Sequence, residues 1–376
     1  MPSLKYKTRV IALLAILFSV AGFAGAATVE NALLQKQGLL VRGNWPVKLV
    51  LNNGETKIIR LMNIQLSKKT AQQLTDNLSY LLKHPMKKNR LQLSDLPPQK
   101  YNGMNGEPVL DQGEWGTCAT FAVTGAINAL YPLLHDASIS QLCNLEFSRT
   151  LDSGSSGAWD GSFGYIVLDQ ISNYGYIDFH YQTQVGCGGL KKYPAYSGNN
   201  GLPMPLTDFA ANSHHEFTDK DWVAIWKYDG HFSPLDPETA EKALAQVKTA
   251  LNSGYRVVFG TLLDGNVNQI GALGTYDGVS YDTWVMTPEI QRDIQNGVFL
   301  DGHEIIIDGY DDNACATYND EQSKTQKQQC GLLRIRNSWS DQVGDQGDYY
   351  MSYDHFKGMA IEVYAIGQHA NNANSR

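Results

Sequence analysis

The chain has 376 residues, a formal net charge of -8 and only 18% charged residues. This length exceeds what one small core requires, so we expect one domain of ordinary size with an N-terminal addition. The acidic balance, together with the lack of any stretch that interleaves Lys and Arg with aromatic residues, argues against a nucleic-acid-binding protein.

The first 27 residues have the pattern of an export signal. Lys5, Lys7 and Arg9 precede an apolar run over residues 10–24, and small residues follow. The run is short for crossing about 30 Å of hydrocarbon and closes on small residues, which favours a signal peptide over a membrane anchor. We therefore predict a signal peptide over residues 1–27 and an exported protein, secreted or periplasmic, that has no membrane partner after cleavage.

Residues 28–93 have the pattern of a β-hairpin followed by a helix. Two apolar-rich runs within residues 47–64 flank a turn that contains Asn and Gly. Ser67 stands where a helix N-cap is expected, and apolar residues then recur at helical spacing until Pro85. We predict a small N-terminal unit here, with an exposed connector over residues 87–100 that a peptidase can cut.

Residues 94–376 place helical patterns first and strand patterns later. Helices are predicted over 118–130, 165–174 and 237–252, and strands over 256–262, 304–309 and 332–337. This order is typical of an α+β protein whose two halves face each other. The cleft between the halves is the default position for a site.

Five cysteines are present, namely Cys118, Cys143, Cys187, Cys315 and Cys330. An odd number in an exported protein leaves one thiol unpaired. If Cys118 is that thiol, the other four allow three pairings, and proximity in sequence favours Cys143 with Cys187 and Cys315 with Cys330. The alternative, in which another cysteine is the free one, stays open.

Cys118 is the first residue of the predicted apolar helix. The positive end of a helix favours thiolate over thiol, and thiolate is the nucleophile that acyl transfer needs. Gln112 lies upstream on a turn bracketed by glycines, where its amide and the main-chain N–H of Cys118 can stabilise an oxyanion. The alternative interpretation is a buried cysteine at a helix start beside an ordinary turn.

His303 and Asn337 are candidates for the remaining catalytic groups. His303 lies at the head of an apolar strand, which suits a general base held by a rigid element. Asn337 shares an inward strand face with Leu333 and Ile335, where its oxygen can accept the imidazole N–H and fix the tautomer. A satisfied surface histidine and a turn-capping asparagine are the alternatives for the two residues taken singly.

The order and local context of these residues resemble the papain family of cysteine peptidases. Residues 112–118 read Gln-Gly-Glu-Trp-Gly-Thr-Cys, the strand after His303 ends in Gly-Tyr, and residues 337–339 read Asn-Ser-Trp. The resemblance covers residues 94–365. It implies a two-lobe fold with an N-terminal helical lobe and a C-terminal β-rich lobe, and a Cys118–His303 thiolate–imidazolium pair that hydrolyses peptide or protein substrates through an acyl-enzyme.

The resemblance also implies substrate-binding positions. Gly161 and Ser162 correspond to the segment that forms a wall for extended substrate, and Glu304 follows the catalytic histidine at the margin of the main specificity pocket. If Glu304 points into that pocket, it favours a basic or polar substrate residue, and if it points into solvent it has no effect. Trp339 corresponds to the tryptophan that shields the His–Asn hydrogen bond from water.

Several positions depart from the family pattern. Ala119 stands where the family has Trp, and Trp115 and Trp159 replace both halves of a family disulfide, so packing takes the place of a covalent link. The long interval between His303 and Asn337 predicts an inserted loop near the site. Further insertions are predicted over 195–235 and 262–300.

The N-terminal unit lacks the helical propeptide pattern of the family. Because an extended strand can bind a peptide-accepting cleft by main-chain pairing, we expect this unit to act as an intramolecular inhibitor until the connector is cut. A passive folding aid is the alternative.

The set of site residues favours one of three functional classes over the other two. A peptidase is favoured, since a non-catalytic binding protein has no reason to keep the whole set of site residues. An acyltransferase, amidase or deamidase on the same fold is the alternative, because fold and triad do not fix the acyl acceptor. No cofactor or metal is expected, since His214–His215 lacks a third ligand and Asp311–Asn313 is too short for a calcium loop.

Overall fold

The computed structural model describes residues 23–84, 96–131, 138–152 and 157–368, apart from the side chains of residues 23–29. Most of the predicted signal peptide, the 93/94 domain boundary and the part of the connector before residue 96 lie outside these residues. Within the described ranges, no helix combines the length and the apolar character needed to cross a bilayer.

Helices and strands are named here in chain order. The helices are α1 (Phe23–Gln37), α2 (Lys68–Lys83), α3 (Cys118–Leu130), α4 (Gln141–Leu151), α5 (Gly164–Tyr174), α6 (Phe179–Gln184), α7 (Leu206–Asn212), α8 (Pro237–Asn252), α9 (Pro288–Gln295) and α10 (Tyr353–Met359). The strands are β1 (Leu39–Val50), β2 (Thr56–Leu66), β3 (Gln99–Tyr101), β4 (Trp222–Trp226), β5 (Arg256–Leu263), β6 (Gly274–Tyr276), β7 (Val279–Trp284), β8 (Leu300–Asp320), β9 (Thr325–Arg336), β10 (Asp348–Ser352) and β11 (Ala360–Ile366).

The strands of the described chain form one mixed sheet. Its main path runs β4-β11-β5-β8-β6-β7-β10-β9, and β2 and β3 each pair with β8 away from that path. The α+β class predicted from the sequence is confirmed by this arrangement of helices and a large sheet. The two-lobe division stays a prediction.

The predicted hairpin and helix of the N-terminal unit are confirmed. β1 and β2 pair antiparallel, and Ser67 caps α2 by accepting a hydrogen bond from the Thr70 N–H. Both elements place apolar side chains in cores that they share with the rest of the chain. The buried contributors are Leu39, Leu49, Leu51, Ile59, Leu61, Met62, Ile64, Leu74, Leu78 and Leu81. Because each fully buried aliphatic side chain contributes about 1.5–3 kcal/mol, this packing holds the unit firmly in place.

The interval between His303 and Asn337 is a two-stranded arm, so the prediction of an inserted loop there is wrong. β8 and β9 pair from Ile306 and Arg336 out to Asp320 and Thr325. The acidic segment Asp311–Asn313 lies at a bulge of β8, where the Asp311 carboxylate accepts the N–H groups of Asn313 and Ala314.

The disulfide pairing predicted from the sequence is confirmed. Cys143 is bonded to Cys187, and Cys315 to its directly opposite partner Cys330 on the arm. Cys118 is the free cysteine. The predicted aromatic replacement is also present, since the rings of Trp115 and Trp159 lie edge to face with centroids 4.9 Å apart.

Candidate active site

Cys118 is the first residue of α3 and is fully buried. The helix begins there because the residues after it are almost all apolar and pack against the sheet, while Thr117 supplies a non-helical entry. Main-chain N–H groups of Glu304 and Ala119 donate to the sulfur, which favours thiolate. Burial nevertheless raises the pKa of the thiol to about 12, and a negative charge on the nearby Glu304 would add to the shift.

His303 and Asn337 meet because β8 and β9 are neighbouring strands. The Nε2 of His303 lies 2.8 Å from the Oδ1 of Asn337. An amide oxygen can only accept, so His303 carries its proton on Nε2 and presents Nδ1 as a free acceptor. Burial lowers the pKa of His303 to about 4, although the Asn337 bond acts in the opposite direction.

Trp339 covers the histidine ring. The two rings stack with centroids 4.7 Å apart and an interplanar angle of 22°. Trp339 is itself fully buried and packs edge to face against Trp284 and Tyr349. The indole therefore fixes the plane of the imidazole and excludes water from its face.

The Gln112 side chain is oriented by hydrogen bonds at both ends. Its Oε1 accepts from the Ser338 hydroxyl at 2.8 Å, so its Nε2 must point the other way. Nε2 donates to the Trp115 carbonyl at 2.9 Å and to the Arg60 carbonyl of β2 at 3.3 Å. The Arg60 carbonyl oxygen thus lies where the Gln112 amide can donate a hydrogen bond to an oxygen.

Tyr193 supports the same turn from behind. Its hydroxyl donates to the Gln112 carbonyl at 2.7 Å and lies 2.9 Å from the hydroxyl of Thr117. Sequence reasoning missed both Ser338 and Tyr193. Ser338 carried a signal, since it lies within the Asn-Ser-Trp motif, whereas Tyr193 comes from a distant loop with no motif around it.

Strand β2 runs across the site. It pairs with β8 from Met62 opposite Gly302 to Ile64 opposite Leu300, directly beside His303. The Met62 side chain packs on Gly161, where an added Cβ would lie 2.7 Å from the Met62 Cγ. Gly161 also has a φ of +125°, so both its conformation and this contact require glycine.

Polar contacts fasten the hairpin at its edges. Lys57 of β2 forms a salt bridge with Asp111 at 3.0 Å and donates to the Trp339 carbonyl. On β1, the indole N–H of Trp45 donates to Asp301, and Asn44 donates to Asp160 at 3.0 Å. Cys118, His303, Asn337 and Gln112 are each no more than 2% exposed beneath it.

The remaining predicted substrate-binding residues lie close to this centre. Ser162 is 7% exposed and follows Gly161 at the contact with the hairpin. Glu304 is 2% exposed and its side chain lies against Glu362 of β11, a residue that no sequence signal indicated. The Glu304 side chain is therefore turned away from solvent in this state.

This arrangement holds both the thiol and the imidazole neutral. Their pKa values are shifted in the directions that oppose an ion pair, and burial is the main cause of both shifts. Access of water to the two groups would reverse these shifts, because desolvation would no longer penalise the charged forms. In the described part of the chain, no group of three or more His, Cys, Asp or Glu residues is placed to hold a metal ion.

Proteins of known structure are similar to this chain at low sequence identity. No protein-family model matches the chain, and no curated protein matches it. Among solved structures, xylellain, a cysteine protease from Xylella fastidiosa, matches at 17% identity and a TM-score of 0.46, covering 76% of this chain and 91% of that one. Digestive procathepsin L 3 from the larval midgut of Tenebrio molitor matches at 15% identity and a TM-score of 0.42, covering 77% and 78%.

The bromelain protease from Ananas comosus matches at 13% identity and a TM-score of 0.42, covering 72% of this chain and 98% of that one. Identities and TM-scores this low leave the functional argument to the chain's own residues.

Proposed function

We propose that this chain is an exported cysteine peptidase that hydrolyses peptide bonds. Cys118 is the nucleophile, His303 is the base that takes its proton through Nδ1, and Asn337 holds the histidine tautomer. The observation that carries the proposal is the 2.8 Å bond from His303 Nε2 to Asn337, which leaves Nδ1 available on a strand whose next N–H donates to the Cys118 sulfur. Acylation of Cys118 would release the substrate amine, and water would then release the acid.

Gln112 stabilises the oxyanion that forms during both steps. Its amide Nε2 already donates to a carbonyl oxygen, that of Arg60, and Ser338 fixes which end of the amide faces that oxygen. A donor that is oriented before the reaction needs no reorganisation when negative charge develops on the oxygen. Trp339 supports the mechanism by keeping water from the histidine face.

Gly161, Ser162, Glu304 and Trp339 line the substrate site in this proposal. Met62 packs on Gly161 where a substrate residue would lie. Glu304 lies against Glu362, and one negative charge on the two glutamates together would favour a basic or polar substrate residue over a bulky apolar one. The cleavage preferences of the wild type and Glu304→Ala on one peptide library test this point, and identical preferences contradict it.

The N-terminal unit, residues 28–93, is an intramolecular inhibitor of the peptidase domain, residues 94–376. In support, β2 pairs with β8 beside His303, and its Arg60 carbonyl accepts from Gln112. Export agrees with the two disulfides, since such bonds persist in oxidising compartments.

The test is a hydrolysis assay on a peptide mixture with mass-spectrometric detection of new termini. The wild type, with and without limited proteolysis, is compared with Cys118→Ala, His303→Ala and the control His180→Ala, which changes an exposed histidine of α6. We expect Cys118→Ala to abolish cleavage, His303→Ala to nearly abolish it, and His180→Ala to leave it intact. Cleavage by Cys118→Ala contradicts the proposal, and loss of ammonia without chain cleavage indicates an amidase or deamidase instead.

A further inference from the structure

Two glutamates from different strands meet behind the nucleophile. β5 lies between β8 and β11, and its residue Gly260 is paired with Glu304 on one side and with Glu362 on the other. Gly260 has no side chain, so the two carboxyls approach each other across it. A Cβ at this position would lie 2.9 Å from the Glu304 Oε2 and 2.8 Å from the Glu362 Cγ. Glycine at position 260 therefore makes room for the pair.

The two carboxyls need one shared proton. Both carboxyls lie against the same point of the Gly260 backbone, and burial raises the pKa of each. Neither carboxyl takes part in an ion pair within the described residues. Two adjacent negative charges in a buried site would repel each other strongly, so the singly protonated form is the stable one.

The surroundings decide which glutamate keeps the proton. Glu362 accepts the Gly164 N–H at 2.6 Å and the Tyr364 hydroxyl at 3.0 Å, and both donors stabilise its charged form. Glu304 Oε1 has no hydrogen-bond partner among the described residues. Burial and the Glu362 charge raise the pKa of Glu304 well above its usual value, whereas that of Glu362 rises to about 7. The proton thus resides on Glu304 and the negative charge on Glu362.

The position of the proton matters because Glu304 is next to the sulfur. Its main-chain N–H donates to Cys118, and its carboxyl raises the pKa of the thiol when it is charged. A negative charge on Glu304 would oppose the thiolate, while a proton there removes the opposition. The titratable groups around the pair come from every neighbouring element and are Cys118 of α3, His303 beside Glu304 on β8, Tyr165 of α5, Tyr228 before α8 and Tyr364 of β11.

We propose that Glu304 and Glu362 act as one positioning pair, in which Glu362 keeps a proton on Glu304 and so keeps negative charge away from the Cys118 sulfur. This inference rests on the proposed role of Cys118 as nucleophile. In this role the pair acts on the reaction through the thiol.

Alkylation of Cys118 in the full chain tests the pair, since Cys118 is the free thiol and one added label reports on it. The rate with iodoacetamide is measured from pH 6 to pH 10 on the wild type, Glu304→Gln, Glu362→Gln and the double variant. Glu304→Gln cannot ionise beside the sulfur, so its rate should show no slowing relative to the wild type above pH 8. Glu362→Gln removes the charge that holds the proton, so Glu304 ionises at lower pH and labelling above pH 8 should slow by about tenfold, corresponding to one pKa unit.

The double variant distinguishes an effect of the Glu304 charge from an effect of disturbed packing. Adding Glu304→Gln to Glu362→Gln removes the charge and should restore the wild-type rate, whereas a packing defect would persist. The matched control is Glu289→Gln, which changes another buried carboxyl, on α9, that lies near Glu321 of the β8–β9 turn; it should leave the rate unchanged.

An unchanged rate in Glu362→Gln, or no recovery in the double variant, overturns the proposal. The assay reads the sulfur directly, so its outcome is independent of whether the chain hydrolyses peptides.

Discussion

Lys57 is the residue through which the hairpin is most directly tied to the site, so Lys57→Met should loosen it. The Lys57 ammonium contacts Asp111 at 3.0 Å and Ser340 at 3.3 Å, and it also donates to the carbonyl of Trp339. Methionine keeps most of the apolar stem and removes the charge. The substitution therefore tests the polar attachment and leaves hairpin packing largely intact.

The magnitude follows from how far these groups are buried. A hydrogen bond to a charged group contributes about 1.5–3 kcal/mol. The side chains of Lys57 and Asp111 are 10% and 30% exposed, so solvent screens part of the interaction. Asp111 also keeps bonds from Tyr196 and the Gly113 N–H. We therefore expect a loss of about 2 kcal/mol in hairpin docking, which raises the open population roughly 30-fold.

Alkylation of Cys118 measures this population, because the thiol is fully buried while the hairpin is docked. When closing is faster than labelling, the labelling rate scales with the fraction of open molecules. The matched control is Lys48→Met, which removes an exposed lysine from the neighbouring strand. Lys57→Met should label about 30-fold faster than the wild type and Lys48→Met at the wild-type rate. Equal rates for the two variants would refute the idea that the hairpin controls access through this attachment.

Two further predictions concern the catalytic groups. Ser338→Ala frees the Gln112 amide to rotate, so kcat should fall about tenfold with little change in KM. The control Ser338→Thr keeps the hydroxyl and should retain most activity. A fall of KM and kcat together in Ser338→Ala contradicts this role for Ser338. Burial lowers the pKa of His303 from 6.5 to about 4. As the pH falls from 6.5 to 4, His303 is therefore protonated in the unfolded chain but stays neutral in the folded chain. The free energy of unfolding should therefore drop by about 3 kcal/mol between these pH values relative to His303→Gln, both in a Cys118→Ala background, and parallel pH profiles would contradict it.

The local parts of the fold were predictable from the sequence because their signals are local. A cap at Ser67, an apolar run after Cys118 and a β-turn between two apolar strands each lie within one element. The cysteine pairing also followed from proximity along the chain. The predicted catalytic residues His303 and Asn337 do meet, since their strands are neighbours in the sheet.

The contacts that were missed join residues far apart in sequence. Nothing around Arg60 indicates that its carbonyl meets Gln112, and nothing around Glu362 indicates that it faces Glu304. The first contact depends on where the hairpin docks and the second on which two strands flank β5, and local patterns encode neither. The arm was misread for another reason. The inserted loop was inferred from the length of the interval between His303 and Asn337, and length alone does not distinguish a loop from two long paired strands.

The position of β11 in the sheet constrains when the sheet can form during synthesis. β11, formed by Ala360–Ile366, lies between β4 and β5 and pairs with both. The interior of the sheet therefore stays incomplete during synthesis until residues 360–366 have been made. A chain truncated before residue 360 would leave two strands with unpaired edges, which are templates for pairing with other chains. C-terminal truncation should consequently lead to aggregation rather than to a smaller folded protein.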